Sequence, residues 1–200
     1  MTAVYALLSS YAFLALVYWL WMLVGVLRVV RRVPVLAKEE PAQPELWPKL
    51  SVVIAARDEA ATLEPAVRSL LQQDYPELEV VLVDDRSADG TGRIADSVAA
   101  ADSRVQVIHV GELPEGWLGK VHALAEGVRR AGGEWLLFTD ADVHFAPGAL
   151  RKAMALAEDR SLDHLAAAPD LVAPNVLVDA MIQAFLRAFV VGLRLWAVED

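Results

Sequence analysis

Residues 78–85 read LEVVLVDD and residues 135–142 read WLLFTDAD, and these two segments decide the fold. Each is an apolar run of strand length that ends in two aspartates. In open α/β sheets, ligands bind beyond the carboxyl ends of the strands, where loops can carry polar groups. Solvated turn aspartates would explain one such pair, but two pairs in one chain favour a site. Crowded carboxylates need a cation or hydrogen-bond donors, so the pattern predicts a charged ligand and a divalent metal ion.

The rest of the chain alternates between strand-like and helical patterns, which predicts an α/β fold: a mostly parallel sheet with helices on both faces. Strands are expected at 50–56, 78–83, 105–110, 135–139 and 165–168. Helices are expected from a cap at Thr62, and at 91–101, 120–131 and 148–157.

Composition limits the classes of protein and of site. With 200 residues, of which 56% are apolar, the chain can form one domain and a membrane segment. The absence of cysteine leaves Asp, Glu and His as metal ligands. A net charge of −9 argues against nucleic-acid binding, which depends on Lys and Arg.

The N-terminal segment predicts a single-pass membrane anchor at residues 1–30. Residues 1–27 carry no charge, and as a helix they would reach about 40 Å, enough for a bilayer core of about 30 Å. A cleaved signal peptide is the alternative, but a basic start and a cleavage site are missing. Four basic residues follow the span and place the domain on the cytoplasmic side: Arg28, Arg31, Arg32 and Lys38. Residues 31–49 contain four prolines and predict an extended linker.

Three motifs carry a resemblance to a known family: SVVIAARDE at 51–59, VDDRSADGT at 83–91 and FTDAD at 138–142. Together they resemble the family 2 glycosyltransferases with the Rossmann-like glycosyltransferase A fold. Residues 116–120, GWLGK, are similar to the membrane-bound, hopene-associated subgroup. The resemblance implies that residues 50–170 form a nucleotide-sugar-binding domain and that the enzyme transfers a sugar from a nucleotide diphosphate donor, with UDP-sugar expected.

The resemblance also implies roles for individual residues. Asp85 would bind the nucleobase, Asp140 would lie near the ribose or a metal-bound water, and Asp142 would coordinate Mg²⁺ or Mn²⁺. Without that ion, a carboxylate and a phosphate charge 4 Å apart would repel by about 4 kcal/mol at an effective dielectric near 20. Lys120, near the start of its helix, would add positive charge for the phosphates. The complete predicted set for the donor is Ala56, Arg57, Glu59, Asp85, Lys120 and Asp140, and for the metal Asp140 and Asp142.

The catalytic base is expected beyond the end of this chain. In the family it belongs to a Glu-Asp segment that follows a glycine pair, and Glu199-Asp200 lacks such a pair. We therefore expect these 200 residues to be the donor-binding part of a longer enzyme.

Residues 171–200 contain an apolar amphipathic helix, expected over 177–196, that is either a core helix or lies at the membrane interface. With the anchor, it motivates a lipid or isoprenoid acceptor.

Two other functions are compatible with parts of the pattern. A haloacid dehalogenase-like phosphatase would use Asp140 as its nucleophile, although its D-x-D motif normally opens the fold. A non-catalytic, membrane-tethered scaffold would bind nucleotide through a degenerate site. A nicotinamide-binding domain is disfavoured because residues 56–62 contain no glycine.

Overall fold

The structure, a computed structural model, describes residues 2–193 and divides into two units. The α/β unit comprises residues 40–166, and the described part of the helical unit comprises residues 2–39 and 167–193. In the α/β unit, four strands and four helices alternate: β1 Leu50–Ala56, α2 Leu63–Leu71, β2 Leu78–Asp85, α3 Thr91–Ala101, β3 Val105–Val110, α4 Gly119–Arg130, β4 Trp135–Asp140 and α5 Ala149–Asp159. The helical unit contains α1 Thr2–Arg32 and α6 Val176–Gly192.

The four strands form one parallel sheet in the order β3-β2-β1-β4. The register aligns the carboxyl ends of the strands. Ala56 pairs with Asp84 of β2, and its neighbour Ala55 pairs with Asp140 of β4. The acidic ends of β2 and β4 therefore flank the end of β1 on either side.

Helices cover both faces of this sheet, as the alternation predicts. On one face, Val52, Ile54 and Leu82 pack with side chains of α2, α3 and α5 in a continuous core. On the other face, Val53 and Val83 pack with Ala123 of α4. Burial of these branched side chains from both sides explains why β1 and β2 read as continuous apolar runs.

Helix α4 lies close to the sheet because it presents glycine at its centre. A Cβ atom on Gly127 would collide with Cγ1 of Val53 and lie 3.2 Å from Cγ2 of Val83. The short distance between α4 and β1 fixes where the first turn of α4 lies.

A buried carboxylate ties the amino end of the sheet to the α4–β4 loop. Glu79 accepts hydrogen bonds from Ser51 Oγ and the Gly132 N–H, both at 2.5 Å, and pairs with Lys49 Nζ at 2.6 Å. Burial alone would raise the pKa of Glu79, but the hydrogen bonds from Gly132, Lys49 and Ser51 outweigh it and hold the pKa below its ordinary value.

The helical unit is built from two apolar helices in contact. Among the described residues, one helical segment, residues 2–38, which contains α1 and the short turn after it, is long and apolar enough to cross a membrane. Its side chains are mostly exposed, as are Met181 and Phe185 of α6. Gly25 of α1 lets Val191 of α6 approach, because a Cβ at Gly25 would lie 2.7 Å from Val191 Cγ1. Residues 194–200, and with them the end of the predicted 177–196 helix and Glu199-Asp200, lie outside the described residues.

Three local expectations differ from the structure. Residues 165–168 form no strand, because the segment is short, precedes Pro169 and finds no neighbouring strand to pair with. Thr62 precedes α2 but makes no capping bond; its hydroxyl instead donates to Glu59 Oε2 at 2.6 Å. The linker is not wholly extended, since residues Leu36–Lys38 form one 3₁₀ turn.

Candidate functional site

A cleft of about 370 Å³ opens at the carboxyl edge of the sheet, where the ends of β1, β2 and β4 meet the start of α4. All the predicted donor and metal residues line it: Ala56, Arg57, Glu59, Asp85, Lys120, Asp140 and Asp142. The structure adds Ala55, Gly119 and Ala141 to the lining. Residues up to 87 positions apart in the chain thus share one polar surface, while their individual roles stay predictions.

The loops after β1 and β2 are joined by hydrogen bonds beside the cleft. The Glu59 N–H donates to Thr91 Oγ1 at 2.8 Å, and the Ala88 N–H donates to Asp58 Oδ1 at 2.7 Å. Asp58 has a positive φ of 56°, a conformation that short polar side chains tolerate. This network explains why the Arg-Asp-Glu turn is polar without every member facing the cleft.

The two aspartates at the end of β2 have different surroundings. Asp84 accepts a hydrogen bond from the Ser87 N–H at 3.2 Å and contacts His109 Nδ1 at 3.0 Å. Asp85 lines the cleft and is 3% exposed. Asp84 therefore stabilises the loop after β2, and Asp85 is the aspartate of this pair that lines the cleft.

Arg86 forms a bidentate pair with the carboxylate of its neighbour Asp85, through Nε to Oδ1 at 2.8 Å and Nη2 to Oδ2 at 3.1 Å. These hydrogen bonds lower the pKa of Asp85. Arg86 has a φ of 58°, which L residues with a Cβ rarely adopt. The pair keeps a nearly buried carboxylate charged at the base of the cleft.

The cleft also contains an exposed ion pair. Lys120 Nζ lies 2.5 Å from Asp140 Oδ1, and both side chains are about 60% exposed. Asp142 is also exposed. Within residues 2–193, no three acidic or histidine side chains converge to hold a metal ion without other ligands. Two accessible carboxylates do fit an ion of the Mg²⁺ type, which proteins commonly hold by one or two carboxylates together with substrate phosphates.

The segment that leads into α4 and the first turn of that helix contain residues to which the sequence assigned no individual role. Gly116 has a φ of 82°, so the turn into the helix requires glycine. The Trp117 ring packs edge-on against His122 with centroids 5.4 Å apart. His122 Nδ1 is the one buried side-chain polar atom in the described part of the chain without a hydrogen-bond partner. The sequence signal for Gly116 and Trp117 was the GWLGK motif at 116–120, and for Arg86 it was a charged residue directly after an acidic strand end.

Comparison with known proteins identifies related sequences. The family model described as "Glycosyl transferase family 2" matches residues 51–189. A relative from Campylobacter jejuni, GalNAc(5)-diNAcBac-PP-undecaprenol beta-1,3-glucosyltransferase, is 30% identical over 112 residues, which are 56% of this chain and 35% of the relative. The 4,4'-diaponeurosporenoate glycosyltransferase of Staphylococcus aureus is 36% identical over 97 residues, 48% of this chain and 24% of the relative.

Solved structures show the same fold. A mannosyltransferase from Pyrobaculum calidifontis, in complex with GDP-Man and Mn²⁺, superposes with a TM-score of 0.61 at 29% identity, over 74% of this chain and 43% of that one. Staphylococcus aureus TarS, residues 1–349 in complex with UDP-GlcNAc, superposes with a TM-score of 0.51 at 27% identity, over 64% and 37%. The chain thus spans less than half the length of each of these relatives.

Proposed function

Because this chain belongs to glycosyl transferase family 2, we propose that its α/β unit binds a nucleotide diphosphate sugar, most simply a UDP-sugar, for transfer of the sugar. The observation that carries the proposal is the convergence of Asp85, Lys120, Asp140 and Asp142 on one cleft. The match to glycosyl transferase family 2 favours this function over the phosphatase alternative.

The polar groups of the cleft match the polar groups of a nucleotide diphosphate. An ionised carboxylate only accepts hydrogen bonds, so Asp85 suits the imide N–H of a uracil base. The first turn of α4 offers free backbone N–H groups and a favourable dipole to the diphosphate, and Lys120 adds a positive charge there. Arg57 and Glu59 complete the wall after β1.

Metal dependence belongs to the same proposal. Asp142 and Asp140 would hold Mg²⁺ or Mn²⁺ together with the donor phosphates, and the Mn²⁺ complex of the mannosyltransferase supports this choice. Such an ion acts as a Lewis acid and stabilises the diphosphate leaving group. In this chain Asp140 is paired with Lys120, so Lys120 would exchange Asp140 for a phosphate oxygen when the donor binds.

Binding of UDP tests the donor site without the catalytic step. We would measure it by calorimetry on the detergent-purified chain, with Mn²⁺ and with a chelator. We expect Mn²⁺-dependent binding to the native chain and to Asp163→Asn, a control that removes an exposed carboxylate outside the cleft. Asp142→Asn should lose the Mn²⁺-dependent part. If the native chain binds neither UDP nor GDP under any condition, the proposed donor site is wrong.

We further propose that the protein is membrane-anchored through α1, with the α/β unit on the cytoplasmic side, and that its acceptor is a lipid or isoprenoid. Exposed apolar side chains along α1 and α6 support contact with lipid, and basic residues close α1 at Arg31 and Arg32. The undecaprenol-linked and diaponeurosporenoate acceptors in the names of two relatives support the acceptor class. Membership of the hopene-associated subgroup stays a prediction based on residues 116–120.

The absence of cysteine makes the orientation directly measurable. Single variants Ala3→Cys and Ala42→Cys place one thiol at either end of the apolar segment, and both positions are exposed. In intact bacterial cells, a membrane-impermeant maleimide should label Ala3→Cys but label Ala42→Cys only after lysis. The reverse pattern would place the α/β unit outside the cytoplasm. Equal labelling of both variants in intact cells would argue against a spanning helix.

A further inference from the structure

Asp85, which lines the cleft, is paired with its chain neighbour Arg86. The Asp85 side chain is 4% exposed and that of Arg86 is 23% exposed, and two hydrogen bonds join them. Arg86 holds this position with a φ of 58°, where glycine would be unstrained. A strained conformation at a ligand cleft is a reason to look for a role of the side chain.

The start of α4 leaves room for this pair. A Cβ atom on Gly119 would lie 2.7 Å from Asp85 Oδ2 and 2.8 Å from Arg86 Nη2. The first residue of α4 therefore has to be small, and the helix start and the end of β2 hold the two side chains between them. The two hydrogen bonds to Arg86 and the nearby start of α4 restrict the rotamers that the Asp85 carboxylate can adopt.

We propose that Arg86 is a positioning residue for nucleobase recognition: its guanidinium fixes the Asp85 carboxylate so that the lone pairs it leaves free face the cleft. A carboxylate has about four acceptor positions, and a bidentate guanidinium occupies two of them. The other two remain for the imide N–H of the base. This inference rests on the proposed function, and it adds a residue that sets the choice of base.

The arrangement discriminates between pyrimidines. Uracil carries an N–H at ring position 3, which a fixed carboxylate accepts. Cytosine carries an acceptor lone pair at the same position, so it meets the carboxylate with repulsion. A carboxylate that can rotate away would bind uracil less well and exclude cytosine less well, because holding one rotamer is part of the preorganisation.

The charge state of Asp85 depends on groups from three directions. Arg86 follows it on the chain, Arg57 faces it from the loop after β1, and His122 faces it from α4; each lowers the pKa of Asp85, with the Arg86 hydrogen bonds first. Removal of Arg86 should therefore raise the pKa of Asp85, and the loss of UDP binding on acidification should begin at a higher pH.

Calorimetry with UDP and CDP tests the inference on the detergent-purified chain. At pH 7, Arg86→Gly should bind UDP about three- to tenfold more weakly than the native chain. CDP binding should stay the same or tighten, so the preference for UDP falls. Arg86→Lys, which keeps one charge but not the bidentate geometry, should lie between the two. Glycine suits the φ at position 86, and tryptophan fluorescence would verify that both variants are folded.

The two proposals fail in different ways. If the native chain binds no UDP, the donor site itself is wrong and this inference goes with it. If the native chain binds UDP but Arg86→Gly weakens UDP and CDP by the same factor, or leaves the preference and the pH profile unchanged, the role of Arg86 is overturned while the donor site stands. Asp85→Asn supplies the reference for complete loss of the carboxylate.

Discussion

Replacement of Glu79 by glutamine should destabilise the α/β unit, although Glu79 lies at the edge of the sheet opposite the cleft. Its Oε1 accepts from Ser51 Oγ and the Gly132 N–H, and Oε2 pairs with Lys49 Nζ. The Gly133 N–H donates in turn to Ser51 Oγ at 2.7 Å. Glutamine has nearly the same shape, so the change removes the charge and one acceptor without creating a cavity.

The size of the effect follows from the exposure of each partner. Hydrogen bonds to a charged group contribute about 1.5–3 kcal/mol when buried, and neutral ones about 1 kcal/mol. The Lys49 side chain is 40% exposed, so solvent screens that pair and its contribution is small. Glutamine can still accept one of the two buried bonds. We therefore expect Glu79→Gln to lower the free energy of unfolding by about 2 kcal/mol.

The pH dependence gives an independent signature. The folded pKa of Glu79 lies below its ordinary value, so its stabilisation is fully present above the unfolded pKa and is lost as pH falls through the folded pKa. The difference in stability between the native chain and Glu79→Gln should thus be largest near neutral pH and shrink in acid.

Urea unfolding followed by tryptophan fluorescence would measure the global effect, and hydrogen exchange at the Gly132 and Gly133 amides would measure the local one. Glu77→Gln is the matched control, because Glu77 is an exposed glutamate close to Glu79. The reasoning is refuted if Glu79→Gln is no less stable than Glu77→Gln at neutral pH, or if the difference between them persists unchanged in acid.

Three further changes test other contacts. Gly127→Ala should lower the free energy of unfolding by about 1–3 kcal/mol, because the added methyl group overpacks against Val53. This loss exceeds the gain of about 1 kcal/mol in helix propensity. A variant that is more stable in urea unfolding would contradict the close approach of α4. The hydrogen bond to Asp84 raises the pKa of His109, so the folded state gains stability that is fully present below the ordinary histidine pKa and is lost as pH rises through the folded pKa. His109→Gln should remove this stabilisation. Parallel profiles of stability against pH for the variant and the native chain would contradict it. Lys120→Gln should weaken UDP binding more than UMP binding in calorimetry, because the proposed contact is to the diphosphate; equal losses for the two nucleotides would exclude it.

Much of the fold can be read from the sequence because local and global signals agree. Strands at 50–56 and 105–110 and the helix at 91–101 have the predicted bounds, since apolar runs of strand length there are bounded by turn residues. The signal at 165–168 was of the same kind but weaker, and a strand exists only where another strand pairs with it. Pairing is a property of the whole sheet, which no four-residue pattern contains.

The sequence predicted a set of residues that line one cleft, but it did not predict the contacts between them. Acidic residues after two strands indicate a common edge, and the structure brings them to one cleft. The pattern did not reveal that Lys120 contacts Asp140, or that Arg86 contacts Asp85. Such contacts depend on side-chain rotamers and on a positive φ, neither of which has a period along the sequence.

Strand alternation explains why Asp85 and Asp140 share the cleft while Asp84 does not. Side chains in a strand point to opposite faces in turn, so Asp85 follows Val83 on the face that α4 covers, and Asp84 follows Leu82 on the other face. Asp140 lies on the α4 face as well, since its register partner Ala55 packs there.

The first turn of α4 then meets both carboxylates, through Gly119 beside Asp85 and through Lys120 beside Asp140. A one-residue shift in the register of β2 would exchange Asp84 for Asp85 and leave the start of α4 facing the wrong carboxylate. The close approach of α4 at Gly127, far from the cleft along the helix, therefore controls the same geometry as the site residues themselves. For this reason Gly127→Ala should weaken UDP binding in parallel with its loss of stability, whereas Glu79→Gln should leave UDP binding unchanged at temperatures where the chain is folded. Calorimetry on both variants would separate the two effects, and unchanged UDP binding by Gly127→Ala would show that the position of α4 over the sheet does not set the cleft.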